Sequence, residues 1–249
     1  MTINQVITMR SQPNAEVTLV WLPHAGGSAG YFQELSNALP EGIECVGIEY
    51  PGRGRRIREP LCNNLIALVE DVVAGLTKIP KDRRIVIFGH SMGGLLGFEV
   101  CRRLESIGSR VKPNKLIVSA CEPLHVERAM PRIHHLPNGE LIDKLIDMNG
   151  SVLNSELIKD LISANLRIIR SDLAISENYI FSKYPIMSQD IVAYGAYRDS
   201  VVRCHVLDKW ADLTTGTVGV RLFDGGHFYL TENSLEFISQ LSRDIHDAT

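Results

Sequence analysis

Short apolar runs, bounded by charged or glycine-rich turns, alternate along the chain with stretches in which apolar residues recur every three or four positions. Thr18-Leu19-Val20-Trp21-Leu22, Ile43-Glu44-Cys45-Val46-Gly47-Ile48, Ile85-Val86-Ile87-Phe88, Leu116-Ile117-Val118-Ser119-Ala120, Ile191-Val192-Ala193-Tyr194 and Val218-Gly219-Val220-Arg221-Leu222-Phe223 read as strands, the most continuous of them buried on both faces. Leu65, Leu68, Val69, Val72, Val73 and Leu76 follow the 3.6-residue period and predict an amphipathic helix over 64–78. Further helices are expected from a Ser28 cap to about Leu39, through Leu95 to Leu104, and from Ser234 to about Ile245. This order argues a parallel sheet flanked by helices. It breaks between about 122 and 185, where no strand-like run occurs and helices are expected over 139–148, 156–169 and 172–181. A helical insertion at that place has the character of a lid over the C-terminal strand ends. No repeat or linker divides the chain, so one domain over 1–249 with a lid insertion at 122–185 is expected.

Chemistry concentrates where the third of these runs ends. Ile85 to Phe88 passes through Gly89-His90-Ser91-Met92-Gly93 directly into a helical pattern. A Gly-x-Ser-x-Gly sequence in a strand–turn–helix setting lifts the serine hydroxyl clear of the sheet, and side chains two positions to either side would clash. Two other strands end on residues of complementary chemistry, the fifth before Asp199 and the sixth before His227. The order Ser91, Asp199, His227 is the one used by α/β-hydrolases. A serine hydroxyl is protonated at neutral pH, so it needs a base such as His227, and an acid such as Asp199 to fix the imidazole tautomer. Asp224 is a rival acid, but it lies only three residues before His227 in the same turn. Pro23-His24-Ala25-Gly26-Gly27-Ser28 follows the first strand and has the glycines that let backbone N–H groups face a site.

Composition narrows the classes. The 249 residues are 45% hydrophobic and 22% charged with net charge −3, which suits a globular core and gives no basic surface for nucleic acid. The five cysteines are scattered and odd in number, with no metal-ligand spacing, and Cys45, Cys101 and Cys121 read as small core residues. The polar first fourteen residues hold no apolar signal, and no run reaches membrane-spanning length, so a soluble, cytoplasmic monomer is expected. Arg53, Arg55, Arg56 and Arg58 crowd one loop, a phosphate or acidic-partner site on one reading and a solvated loop on the slightly favoured other. His134-His135 reads as the loop entering the lid rather than as a metal pair, because no third ligand is suitably spaced.

Leu22-Pro23-His24-Ala25-Gly26-Gly27-Ser28, Pro51-Gly52-Arg53-Gly54, Gly89-His90-Ser91-Met92-Gly93, His134-His135-Leu136-Pro137 and Gly225-Gly226-His227-Phe228 together resemble the type II thioesterases. These are stand-alone α/β-hydrolases that accompany nonribosomal peptide and polyketide synthases. The resemblance runs from about Val17 to Phe237. It implies an α/β-hydrolase fold with Ser91 as nucleophile, Asp199 as acid, His227 as base, and the backbone N–H groups of Ala25 and Met92 as the oxyanion hole. It also implies substrates on the phosphopantetheine arm of separate carrier proteins, with no cofactor or metal, no nucleic acid and no membrane partner. One departure stands out: the family's acid loop reads like Gly-Gly-x-Asp-Asp-Pro, and here it is Gly195-Ala196-Tyr197-Arg198-Asp199-Ser200. The residues alone leave two other readings open, a general carboxylesterase with the same triad and a carrier-binding protein without turnover.

Overall fold

Strands without a polar face must pair side by side and be covered on both sides. In a computed structural model describing residues 5–80, 83–149, 155–183 and 186–247, the apolar runs do so. The described strands are β1 (Val6–Arg10), β2 (Val17–Leu22), β3 (Ile43–Ile48), β4 (Arg84–His90), β5 (Lys115–Ser119), β6 (Asp190–Ala196) and β7 (Val218–Phe223). They form one sheet in the order β1-β3-β2-β4-β5-β6-β7, with β1 antiparallel to β3 and the remaining pairs parallel.

The helices are α1 (Gln33–Ala38), α2 (Leu65–Leu76), α3 (Met92–Ser106), α4 (Asn138–Asn149), α5 (Ser155–Glu177), α6 (Tyr229–Glu232) and α7 (Ser234–His246). Successive strand residues point to opposite faces, so the continuous runs split into two core layers. Val20, Leu22, Ile85 and Ile87 pack with Val72 of α2 and Leu96 of α3. Leu19, Trp21, Val86 and Phe88 pack with Leu35 of α1 and Phe237 of α7. Ile133, Leu141, Ile142 and Leu166 make a third, smaller cluster that joins α4 to α5 away from the sheet. The helical lid is thus present; its expected end at residue 185 lies outside the described residues.

The structure departs from the sequence expectation in four places. The segment 6–10, read as part of a polar terminus, is an edge strand in which Ile7 and Met9 turn inward and Thr8 outward. Five residues of mixed character give little period-2 signal. The helix expected after Ser28 is a 3-10 turn, Ala29–Phe32, followed by the six-residue α1, and the Ser28 hydroxyl caps nothing. Glu49 instead reaches in from beyond β3 and accepts the Ala29 N–H at 3.2 Å. The two lid helices expected over 156–169 and 172–181 are one continuous helix ending at Glu177, since Arg170 and Ser171 carry nothing that breaks a helix. Between β6 and β7, where no element was expected, Cys204–Leu213 forms 3-10 turns that bury Trp210, whose indole N–H donates to the Cys121 carbonyl at 3.1 Å.

At the β4–α3 turn the glycines are a matter of space. A Cβ on Gly89 would lie 2.0 Å from the Gly93 carbonyl oxygen, and one on Gly93 would lie 2.1 Å from the Leu22 oxygen. Gly89→Ala is therefore expected to lower the unfolding free energy by about 3 kcal/mol or more, the upper end of overpacking costs, and with it the urea midpoint. An unchanged midpoint would show that the turn is not closed by this contact.

Candidate active site

The site forms where β4, β6 and β7 end together, the edge at which parallel sheets place their ligands. Ser91 follows β4 with φ +54° and ψ −115°, a strained conformation for a residue with a side chain. It is held by its own N–H, which donates to the Ser119 carbonyl at 2.7 Å, and by its carbonyl, which accepts the Gly94 N–H at 2.9 Å. His227, in the loop after β7, places Nε2 3.1 Å from Ser91 Oγ. Its Nδ1 lies 2.9 Å from Asp199 Oδ2, from the loop after β6. The other oxygen, Asp199 Oδ1, accepts the N–H groups of Val201 and Val202 at 2.8 and 3.1 Å. The Asp199 side chain is fully buried and that of His227 is 5% exposed, so the carboxylate acts on the ring without water between them. Asp224 belongs elsewhere: it forms an exposed ion pair with Arg198. The departure in the acid loop thus gives the rival carboxylate a partner of its own at the surface.

Met92 is the first residue of α3, where backbone N–H groups have no intrahelical acceptor and the helix dipole favours negative charge. Ala25 lies on the loop after β2, and β2 pairs directly with β4, Leu22 opposite Gly89. The close approach of Gly93 to the Leu22 and Pro23 carbonyls sets that loop against the serine turn. Neither the Ala25 nor the Met92 N–H enters a turn or cap hydrogen bond among the described residues.

A cavity of about 330 Å³ opens beside Ser91, lined on its apolar side by Met92, Leu95, Leu124, Met130, Ile133 and Leu173. Tyr179 closes part of its wall and donates to Glu99 at 2.6 Å. Cys121 also lines the cavity, but burial pushes its thiol up to about 12, so it stays protonated and is no competing nucleophile. Burial, with smaller contributions from His227 and Arg53, lowers the His24 pKa to about 3. His90 is likewise pushed well below its ordinary value, chiefly by burial. Both imidazoles are neutral at working pH, and the ring with a nitrogen in reach of Ser91 Oγ is His227.

The arginine loop divides: Arg55 and Arg58 are exposed, as a solvated loop would have them, and the other two are not. Arg53 and Arg56 are buried: the first pairs with Asp172 of α5, the second with Glu59 and Asp71. His134 lies in a lid loop as expected, its Nδ1 2.5 Å from the buried carboxylate of Glu177, which also accepts the Ile133 and His134 N–H groups. Asp172, Glu177 and Tyr179 were not singled out from sequence. Each looks there like one more residue on a lid segment, and no motif links them to partners tens of residues away.

Two outcomes follow from this geometry. Asp199→Asn is expected to lower kcat by about 10⁴-fold, the scale for a displaced imidazole tautomer, while Asp224→Asn leaves it within about threefold. The reverse ranking in a steady-state assay would transfer the acid role to Asp224. The second concerns pH. His24 binds a proton more readily when unfolded, with a pKa near 6.5, than when folded, at about 3, so stability is lost as pH falls from 6.5 towards 3. Between pH 7 and 5 the His24 share of that loss is about 2 kcal/mol by linkage. His24→Phe should flatten the urea midpoint over that interval; an equally steep profile would refute it.

A family model described as "Thioesterase domain" matches residues 17–247. The chain is 32% identical over 232 residues to "Thioesterase PikA5" of Streptomyces venezuelae, covering 92% of this chain and 81% of that one. Among solved structures, the type II thioesterase BorB from the borrelidin biosynthetic cluster superimposes with a TM-score of 0.85 at 29% identity, covering 97% of both chains. ClbQ, from the colibactin NRPS/PKS pathway, does so with a TM-score of 0.83 at 26% identity, covering 94% of this chain and 98% of that one. With nearly its whole length matched in sequence and in fold, the chain belongs to the thioesterase family and has the α/β-hydrolase architecture.

Proposed function

We propose that the protein hydrolyses acyl groups from the phosphopantetheine arm of carrier-protein domains in a nonribosomal peptide or polyketide synthase, clearing misloaded or stalled carriers. The observation that carries this reading is the continuous line from Ser91 Oγ through His227 to Asp199, with contacts of 3.1 and 2.9 Å, at the mouth of an apolar cavity. The biosynthetic clusters named for BorB and ClbQ favour a carrier-bound substrate over a free ester.

In this mechanism His227 Nε2 removes the Ser91 proton as Oγ attacks the thioester carbonyl. Asp199 keeps the remaining ring proton on Nδ1 and stabilises the imidazolium. The Ala25 and Met92 N–H groups receive the oxyanion. The leaving thiol has an ordinary pKa of about 8.5, so it departs with little help beyond the proton that His227 returns. Water then enters and attacks the acyl-serine as His227 removes its proton, and His227 returns that proton to Ser91 Oγ as the ester bond breaks, through the same oxyanion. No cofactor is required at any step. We further expect a cytoplasmic monomer that meets its carrier in trans.

The test is a purified carrier protein loaded with a short acyl-phosphopantetheine, with loss of the acyl group followed by mass, beside the same acyl group on coenzyme A and on p-nitrophenol. Preference for the carrier-bound form is expected, and Ser91→Ala should lower turnover by about 10⁶-fold without unfolding the protein, as for residues that act as one unit. Equal hydrolysis of the free esters would identify a general esterase. Near-normal turnover by Ser91→Ala would remove the serine mechanism.

A further inference from the structure

Four consecutive residues of the lid helix α5 hold neighbouring segments near the site, the first and last of them at Gly26. The Ile169 side chain fills the space beside Gly26, where an added Cβ would lie 2.3 Å from Ile169 Cγ1. Arg170 donates to the His134 and Leu136 carbonyls. Ser171 donates to the Cys62 carbonyl at 3.1 Å. Asp172 accepts the Gly26 N–H at 2.8 Å and receives Arg53 through both oxygens, at 2.5 and 2.8 Å. The same guanidinium donates to the Gly27 carbonyl at 3.1 Å.

The Arg53 and Asp172 side chains are only 5% and 2% exposed. An ion pair so placed is a poor source of stability, because apolar residues of the same volume serve as well or better. What apolar residues cannot do is bond a peptide group. This pair takes the N–H of Gly26 and the carbonyl of Gly27, the two residues after Ala25, and Gly26 sits at φ +80° in the left-handed region. The two residues that follow Ala25 in its turn are therefore bonded to groups from outside the loop, one of them on the lid.

We propose that Asp172 and Arg53 are positioning residues that hold the Ala25 N–H in place for the oxyanion and make its placement depend on the seating of α5. A lid displaced as a body through α5 carries Asp172 away from Gly26 and releases the turn, so catalytic competence follows lid position. This rests on the role proposed above for Ser91 and Ala25.

The test replaces the pair with apolar residues of similar size, Arg53→Met with Asp172→Leu, which keeps the core filled and leaves no unpaired buried charge. The double variant is expected to unfold at or near the wild-type midpoint. Its kcat on the acylated carrier should fall by about 10- to 100-fold, somewhat less than removing an oxyanion donor outright, with KM within about threefold. Affinity for a trifluoromethyl ketone analogue, which places an anionic oxygen in the same hole, should weaken by a similar factor. Arg53→Met with Asp172→Asn, which keeps an oxygen for the Gly26 N–H and likewise leaves no unpaired charge, should recover most of the rate. A folded Arg53→Met, Asp172→Leu variant with wild-type kcat and ketone affinity, or one changed in KM alone, overturns the proposal while leaving the Ser91 reading intact. A wild-type protein that turns over acyl carriers yet is indifferent to the ketone overturns both.

Discussion

Ser91 sits at φ +54° and ψ −115°, a conformation that costs on the order of 1–3 kcal/mol and persists only where its surroundings leave no alternative. Here the surroundings are the sheet itself. β5 supplies the Ser119 carbonyl for the Ser91 N–H, and β2 presents the Leu22 oxygen where a side chain on Gly93 would have to be. The two glycines and the neighbours of β4 thus form one constraint. Because β2, β4, β5, β6 and β7 run parallel, everything positioned by that turn meets the loops after β2, β6 and β7 along one edge.

Three buried carboxylates share one arrangement in this protein. The carboxylates of Asp199, Asp172 and Glu177 are each almost fully enclosed, and each accepts backbone N–H groups from a loop as well as a side-chain partner. Asp199 holds 201–202 and His227; Asp172 holds Gly26 and Arg53; Glu177 holds 133–134 and His134. A loop carries polar groups that cannot be buried unpaired, so a carboxylate set beneath it both satisfies those groups and fixes its course. Two of the three are on α5, and this is how an insertion distant in sequence comes to organise the loops around the serine.

Much of this was legible in the chain. The interior strands announce themselves because burial on both faces leaves no polar positions, and α2 because its apolar stripe keeps the helical period and Asn64 caps it through the Ala67 N–H. The serine turn was legible because only glycine fits its flanks. What escaped was either short and half-exposed, as with β1, or decided by a distant partner. Arg53 and Arg56 look like solvated charges until their carboxylates arrive from 119 and 15 residues away.

The sequence by itself determined which side chains could do chemistry and on which strand ends they lie, because glycine spacing and strand-to-loop transitions are local properties of the backbone. It placed Ser91, Asp199 and His227 in order and left Asp224 in contention. Only the tertiary structure decided that the acid facing His227 is Asp199, that Asp224 is engaged by Arg198, and that the loop after β2 is bonded to α5. Those outcomes depend on which loops the sheet brings together, and a hydrogen bond between residues 26 and 172 leaves no periodicity in the chain to read.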